Sequence, residues 1–144
     1  MKGYKLFLDD VRVPYDVFNM IINPIYENNE DWDIVKDYNS FISYIKENGI
    51  PKFISYDHDL SFDHYLGENQ EGDIDYDNME EKTGYDCAKW LVQYCLESNL
   101  TIPDYYVHSA NPVGKKNIEM YLENAKKHYG LWMKKKSIWS GKKY

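Results

Sequence analysis

The chain has 144 residues and a mass of 17.2 kDa, the size of one ordinary domain with its own hydrophobic core. Its composition, 43% hydrophobic and 17% aromatic, excludes a disordered chain. The 17 basic and 24 acidic residues give a net charge of -7, which argues against a dedicated binder of duplex DNA or of an anionic membrane. No apolar run has the length of a signal-peptide core or a spanning helix, so we expect one cytoplasmic domain over residues 1–144.

The first third of the chain predicts two strands and two helices. An apolar run from Tyr4 to Leu8 predicts a buried strand that delivers two aspartates to the edge of a sheet. A short helix is expected between Pro14 and Pro24. A second strand follows at residues 32–36, and then a helix that is capped by Ser40 and ended by Asn48-Gly49.

The rest of the chain repeats this alternation of strands and helices. A third strand is expected at residues 52–56, followed by an acidic inserted loop over about 61–82. Thr83 is expected to cap a helix with a regular apolar face. A fourth strand at residues 105–107 leads into a last helix that carries Ile118 and Leu122 on one face.

Strands separated by helices predict a three-layer, doubly wound α/β domain with a mainly parallel sheet. Ligands bind such sheets outside the carboxyl ends of the strands. Three of the predicted strands end in polar residues: Asp9-Asp10, Asp57-His58-Asp59 and His108-Ser109. We therefore expect polar side chains from distant parts of the sequence to converge in one crevice.

A cluster of Asp9, Asp10 and Asp57 predicts a site for a divalent cation. Carboxylates a few ångströms apart repel by about 4 kcal/mol per pair at an effective dielectric constant near 20, so the cluster requires a cation or a shared proton. Mg²⁺ is bound by a few carboxylates, several waters and phosphate oxygens. Mg²⁺ or Mn²⁺ is therefore the expected cofactor. The alternative is that these acids only cap turns at the strand ends.

Two histidines follow the predicted strands and are candidates for proton transfer. His58 and His108 could relay a proton or ligate a softer metal such as Mn²⁺ or Zn²⁺, and each could instead be a structural histidine. All three residues of the Asp57-His58-Asp59 triplet can face the site only if the strand has already ended, because side chains alternate between faces in a strand.

The start of the last predicted helix is a candidate phosphate-binding site. Helix N-termini attract anions through free N–H groups and the helix dipole, so Ser109, Asn111, Gly114 and Lys115 are expected to contact phosphate oxygens, or to form an ordinary capped turn. Arg12 is the only arginine of the chain, and it could clamp a phosphate or neutralise the neighbouring acids.

The end of the chain, residues 129–144, combines lysines with aromatic residues and has no acidic residue. Such a tail could stack on and neutralise a single nucleic-acid strand. The favoured interpretation is a last edge strand, whose lysines guard it against aggregation.

These strand ends resemble the receiver domains of response regulators. The matching features are the acidic pair Asp9-Asp10, an aspartate at position 57 after a third strand that opens with proline, and the hydroxyl of Ser109 after the fourth. Receivers also carry a lysine, usually followed by proline, after a fifth strand, and a compact loop after the phosphoacceptor. Neither feature has a clear counterpart here.

A closer resemblance is to the receiver-like family of cyclic-phosphate processing domains. The similar segments are Leu6–Pro14, Ser55–Leu60, Gly84–Asp86 and His108–Gly114. The resemblance implies a receiver-like (flavodoxin-like) fold, a metal bound by aspartates, and a substrate that carries a cyclic phosphate or a similar phosphodiester.

Three functions are therefore considered. The leading hypothesis is a metal-dependent phosphoesterase that opens a cyclic phosphate on a nucleotide or RNA-end derivative. In it Asp9, Asp10 and Asp57 hold the metal, His58 or His108 transfers the proton, Ser109, Asn111 and Arg12 position the phosphate, and Asp59 lies behind them. The alternatives are a module that binds cyclic nucleotides or nucleic acid without cleaving them, and a receiver that is phosphorylated on Asp57.

Overall fold

Four parallel strands form the sheet at the centre of the protein. A computed structural model describes residues 3–60 and 82–142, and only the backbone of residues 132–142. The strands are β1 (Lys5–Leu8), β2 (Asp33–Val35), β3 (Phe53–Tyr56) and β4 (Asp104–Val107), in the spatial order β2-β1-β3-β4. The predicted parallel α/β architecture is therefore confirmed.

The strand register brings the carboxyl ends of the strands level with one another. Leu8 lies opposite Val35 on one side and Tyr56 on the other, and Tyr56 lies opposite Val107. The hydrogen-bond ladder continues one residue further, since the backbone N–H groups of Asp9, Asp57 and His108 donate to the carbonyls of Val35, Leu8 and Tyr56. The residues that follow the strands are thus fixed by the sheet.

In the described part of the chain, four α-helices flank the strands: α1 (Pro14–Ile21), α2 (Tyr38–Asn48), α3 (Gly84–Ser98) and α4 (Pro112–Lys142). Two short 3-10 helices, Pro24–Tyr26 and Asn29–Asp31, connect α1 to β2. As predicted, Thr83 caps α3: its hydroxyl accepts from two backbone N–H groups, and Asp86 completes a capping box. Gly49 ends α2 at a φ of 89°, a conformation that favours glycine.

The two faces of the sheet bury separate cores. Side chains alternate along β1, so Leu6 and Leu8 pack with apolar residues of α2, α3 and α4, whereas Phe7 points the other way. Phe7 packs with Val17 of α1 and with Tyr26 and Trp32 of the 3-10 region. The expected three-layer arrangement is present, and its second core is strongly aromatic.

Two local predictions are wrong. Ser40 does not cap α2, because the side chain of Asp37 accepts from the backbone N–H of Ser40 and the helix begins at Tyr38. The edge strand expected near the C-terminus is also wrong, because α4 continues through residues 129–142 as one helix. Lysine, leucine and methionine favour helix, and no proline or turn sequence separates this segment from the helix before it.

The sheet has no fifth strand within the described part of the chain, so β4 forms one edge. The predicted acidic loop lies almost entirely outside the described residues. Within residues 3–60 and 82–142, no helix combines the length and the apolar character that crossing a membrane requires.

Candidate functional site

Three buried side chains meet at the carboxyl edge of the sheet: Asp9, Asp57 and His108. One potential ligand atom from each lies within 4.8 Å of the other two. Each of the three residues lies two positions after a strand residue whose side chain points toward the aromatic core. Because side chains two positions apart point to the same face of a sheet, all three point to that face as well. The expected convergence of three strand ends is present in the structure.

Asp9 is a buried carboxylate with four hydrogen-bond donors. Its Oδ1 accepts from the backbone N–H groups of Val11 and Arg12, both at 2.9 Å. Its Oδ2 lies 2.9 Å from Nε2 of His108 and 3.4 Å from Nη1 of Arg12. Burial alone would raise the pKa of Asp9, but the hydrogen bonds from His108 and these backbone groups hold its pKa below the ordinary value. Asp9 is therefore ionised at neutral pH.

The surroundings of Asp57 shift its pKa in the direction opposite to that of Asp9. Burial and the neighbouring carboxylate of Asp9 raise the pKa of Asp57 from 3.8 to about 7, and Asp10 contributes in the same direction. The hydrogen bond from the backbone N–H of His58 offsets only part of this effect. Two buried carboxylates beside an imidazole nitrogen are a donor set that suits Mn²⁺ or Mg²⁺, and a cation would relieve the repulsion between them.

His108 is held on three sides. Its Nε2 faces Asp9, its Nδ1 lies 2.7 Å from the hydroxyl of Ser55, and its ring stacks on Phe7 with centroids 4.5 Å apart. Burial lowers the pKa of His108, although Asp9 opposes this effect. The ring is therefore neutral at pH 7.

The hydroxyl of Ser55 also lies 2.6 Å from that of Tyr26, which is fully buried. Burial raises the pKa of Tyr26 to about 12, so the phenol keeps its proton at neutral pH. Sequence analysis missed both residues, because Ser55 lies inside a strand and Tyr26 in an irregular connection.

A cleft of about 320 Å³ opens beside the cluster. Its walls include the predicted residues Asp9, Asp10, Arg12, Asp57, Asp59, Ser109 and Asn111. Arg12 therefore pairs with Asp9 and also lines the cleft. Asn111 connects the residues that follow β3 with the start of α4, because its amide donates to the Asp59 carboxylate and its Oδ1 accepts from the backbone N–H of Gly114.

The remaining predicted site residues lie outside the cleft lining. Nδ1 of His58 lies 2.8 Å from Oδ1 of Asp59, and the ring packs against Gly114. A Cβ atom on Gly114 would stand 2.3 Å from Cγ of His58, so this glycine makes room for the ring. Nζ of Lys115 contacts the carbonyl of Val107 and Glu119, which directs it along β4 and α4 rather than into the cleft.

The sheet topology and the acidic edge define a receiver-like α/β domain. Within that class, residues 4–124 match the model of the cyclic-phosphate processing receiver domain, and the chain belongs to that family. The resemblance found in the sequence is confirmed, and the domain is associated with cyclic-phosphate processing. Neither a curated protein nor a solved structure gives a significant match.

Proposed function

We propose that this protein is a metal-dependent phosphoesterase that opens the cyclic phosphate of a nucleotide or RNA-end derivative. The observation that carries the proposal is the approach of Asp9, Asp57 and His108 to within 4.8 Å beside a cleft of about 320 Å³. Asp9 and Asp57 would hold Mg²⁺ or Mn²⁺, with Asp10 at the rim and His108 as the hydrogen-bond partner of Asp9. The ion would polarise the phosphoryl group and activate water.

The cleft also contains groups that suit a phosphate ester. Arg12 supplies the guanidinium that such an anion requires, and its link to Asp9 is long, at 3.4 Å. Ser109 and Asn111, which also line the cleft, supply a hydroxyl and an amide. These three residues would orient the ring phosphate so that one ester oxygen leaves as water attacks.

His58 is the better of the two candidates for proton transfer. Hydrolysis forms a bond between water oxygen and phosphorus, breaks one ring P–O bond, and places a proton on the leaving oxygen. His108 has both ring nitrogens engaged and a side chain that is 0% exposed, whereas the side chain of His58 is 17% exposed and is oriented by Asp59. His58 also lies between two residues that line the cleft.

The test is hydrolysis of a panel of nucleoside and ribose cyclic phosphates with Mn²⁺ and with EDTA. We expect metal-dependent turnover by the wild type, loss of turnover in Asp57→Asn, and a fall of about 10²- to 10⁴-fold in His58→Gln. Asp104→Asn and His128→Gln are matched controls, since both side chains are exposed and far from the cleft lining. Both controls should retain wild-type rates.

Two other results would replace this proposal. Tight binding of a cyclic nucleotide that is recovered unchanged would identify a binding module. Incorporation of phosphate from acetyl phosphate into the wild type, but not into Asp57→Asn, would identify a phosphoacceptor receiver. Absence of metal-dependent turnover across the panel would refute the phosphoesterase.

A further inference from the structure

A chain of four buried polar side chains connects the candidate metal site to the opposite end of the aromatic core. The chain runs from Tyr26 through Ser55 and His108 to Asp9, with successive distances of 2.6, 2.7 and 2.9 Å. None of the four residues is more than 4% exposed. Its members come from a 3-10 helix, from β3 and from the segments that follow β4 and β1.

The direction of each hydrogen bond follows from the protonation of the two ends. An ionised Asp9 can only accept, so Nε2 of His108 carries the proton of the neutral ring. Nδ1 is then an acceptor and takes the proton of the Ser55 hydroxyl. Since that proton is used, the Ser55 oxygen accepts from the phenol of Tyr26. One arrangement of protons satisfies every member.

The ring of His108 is also fixed in orientation. It lies parallel to the ring of Phe7, with an interplanar angle of 2°. Phe7 in turn packs edge-on against Tyr26 and Trp32. Rotation of the imidazole would therefore break both hydrogen bonds and the stack at once.

We propose that Tyr26 and Ser55 are positioning residues that reinforce the Nε2–H tautomer of His108, which Asp9 also favours, and thereby fix the orientation of Asp9 at the metal site. The inference rests on the proposed metal-dependent function and extends it to two residues that do not touch the cleft. Partners one step behind a metal ligand are commonly worth about 10- to 100-fold in metal affinity. His108 stands one step behind Asp9, and Ser55 acts on Asp9 through His108.

The experiment uses Ser55→Ala and Tyr26→Phe, which remove single hydroxyls, with Tyr106→Phe as the matched control. Tyr106 belongs to the same aromatic core but lies outside the chain of hydrogen bonds. The tautomer of His108 is read in metal-free protein by NMR of histidine labelled at its ring nitrogens. Mn²⁺ affinity is measured separately by calorimetry.

We expect a single Nε2–H tautomer in the wild type and in Tyr106→Phe, and a measurable minor fraction of the Nδ1–H tautomer in Ser55→Ala, because Nδ1 has lost the hydroxyl that donates to it. Mn²⁺ should bind up to about 10-fold more weakly to Ser55→Ala, the lower end of the effect of a direct partner of a ligand, because Ser55 acts on Asp9 through His108. Tyr26→Phe should shift both measurements in the same direction by less, and it keeps the ring that packs in the core. The double variant should be no worse than Ser55→Ala, because the two hydroxyls act through one nitrogen.

An unchanged tautomer and an unchanged Mn²⁺ affinity in Ser55→Ala and in Tyr26→Phe would overturn the inference and leave these hydroxyls as structural groups. The tautomer measurement uses no substrate and no metal. A protein that shows the tautomer shift but hydrolyses no cyclic phosphate would therefore support the positioning role while refuting the phosphoesterase.

Discussion

The carboxyl group of Asp57 makes the metal-free protein sensitive to pH. Its pKa in the folded state is about 7, above the ordinary 3.8, because of burial and the charge of Asp9. Between about pH 4 and 7 the folded protein thus binds more protons at this residue than the unfolded chain, and this contribution to stability is lost as pH rises. A shift of this size corresponds to at most about 4 kcal/mol.

We therefore predict that the free energy of unfolding of Asp57→Asn rises relative to that of the wild type as pH is raised from 5 to 8 in EDTA. The measurement is urea unfolding at each pH, and the quantity compared is the difference between the two proteins. This comparison is needed because the lowered pKa of His108 acts in the opposite sense, adding stability as pH rises. A constant difference across the range would contradict the raised pKa.

Some residues of the candidate site could be predicted from the sequence, and others could not. Asp9, Asp57 and His108 follow strands whose ends a sheet must bring together, so their convergence was predictable from strand order alone. The chain through Ser55 to Tyr26 was not predictable, because it depends on side-chain contacts across 29 residues of sequence. The contacts of Lys115 with Val107 and Glu119 were not predictable either, because a long side chain can reach several neighbours.

At the scale of elements, the start of α3 packs directly on the backbone that presents Asp57. The backbone N–H of Gly84 donates to the carbonyl of His58 at 2.7 Å, and a Cβ atom at this position would stand 1.7 Å from the carbonyl oxygen of Asp57. The overlap involves backbone rather than a flexible side chain, so a strand end or the helix must move. Glycine at position 84 is required by this close approach.

Gly84→Ala should accordingly lower the free energy of unfolding by about 1–3 kcal/mol, the usual cost of overpacking, and weaken Mn²⁺ binding because Asp57 is displaced. Chemical denaturation and calorimetry measure the two effects. Gly130→Ala is the control: it lies within α4 with nothing near its Cβ position, and it should be neutral or stabilising by up to about 1 kcal/mol. Equal stability of the two variants would show that the close contact between the start of α3 and the backbone of Asp57 does not require glycine at position 84.

Other elements show where sequence patterns compete. Asp37 and Ser40 are both good capping residues, and they lie three positions apart. Asp37 is the N-cap of α2, and Ser40 lies in the first turn, where its backbone N–H donates to the Asp37 side chain. For the tail, the lysines and aromatic residues favoured an edge strand in the sequence analysis, whereas the uninterrupted helix formers extend α4 in the structure.

At the scale of the whole molecule, the candidate metal site exists only when the sheet is assembled. Its three residues are 48 and 51 positions apart in sequence, and the register of β1, β3 and β4 brings them level. A cation that binds the folded state alone stabilises it by about 2.7 kcal/mol when its concentration is 100 times the Kd. For a chain of this length that is a rise in Tm of about 5–11 °C.

We predict this rise for the wild type when Mn²⁺ is titrated at pH 8, where Asp57 is ionised, and a much smaller rise at pH 5, where a proton occupies the same carboxylate. Asp57→Asn should show little response at either pH. Asp104→Asn, which removes an exposed carboxylate that pairs with Lys126 on α4, should respond like the wild type. A similar rise in Asp57→Asn would mean that Mn²⁺ binds elsewhere, and the carboxyl edge of the sheet would then have no role in holding the metal.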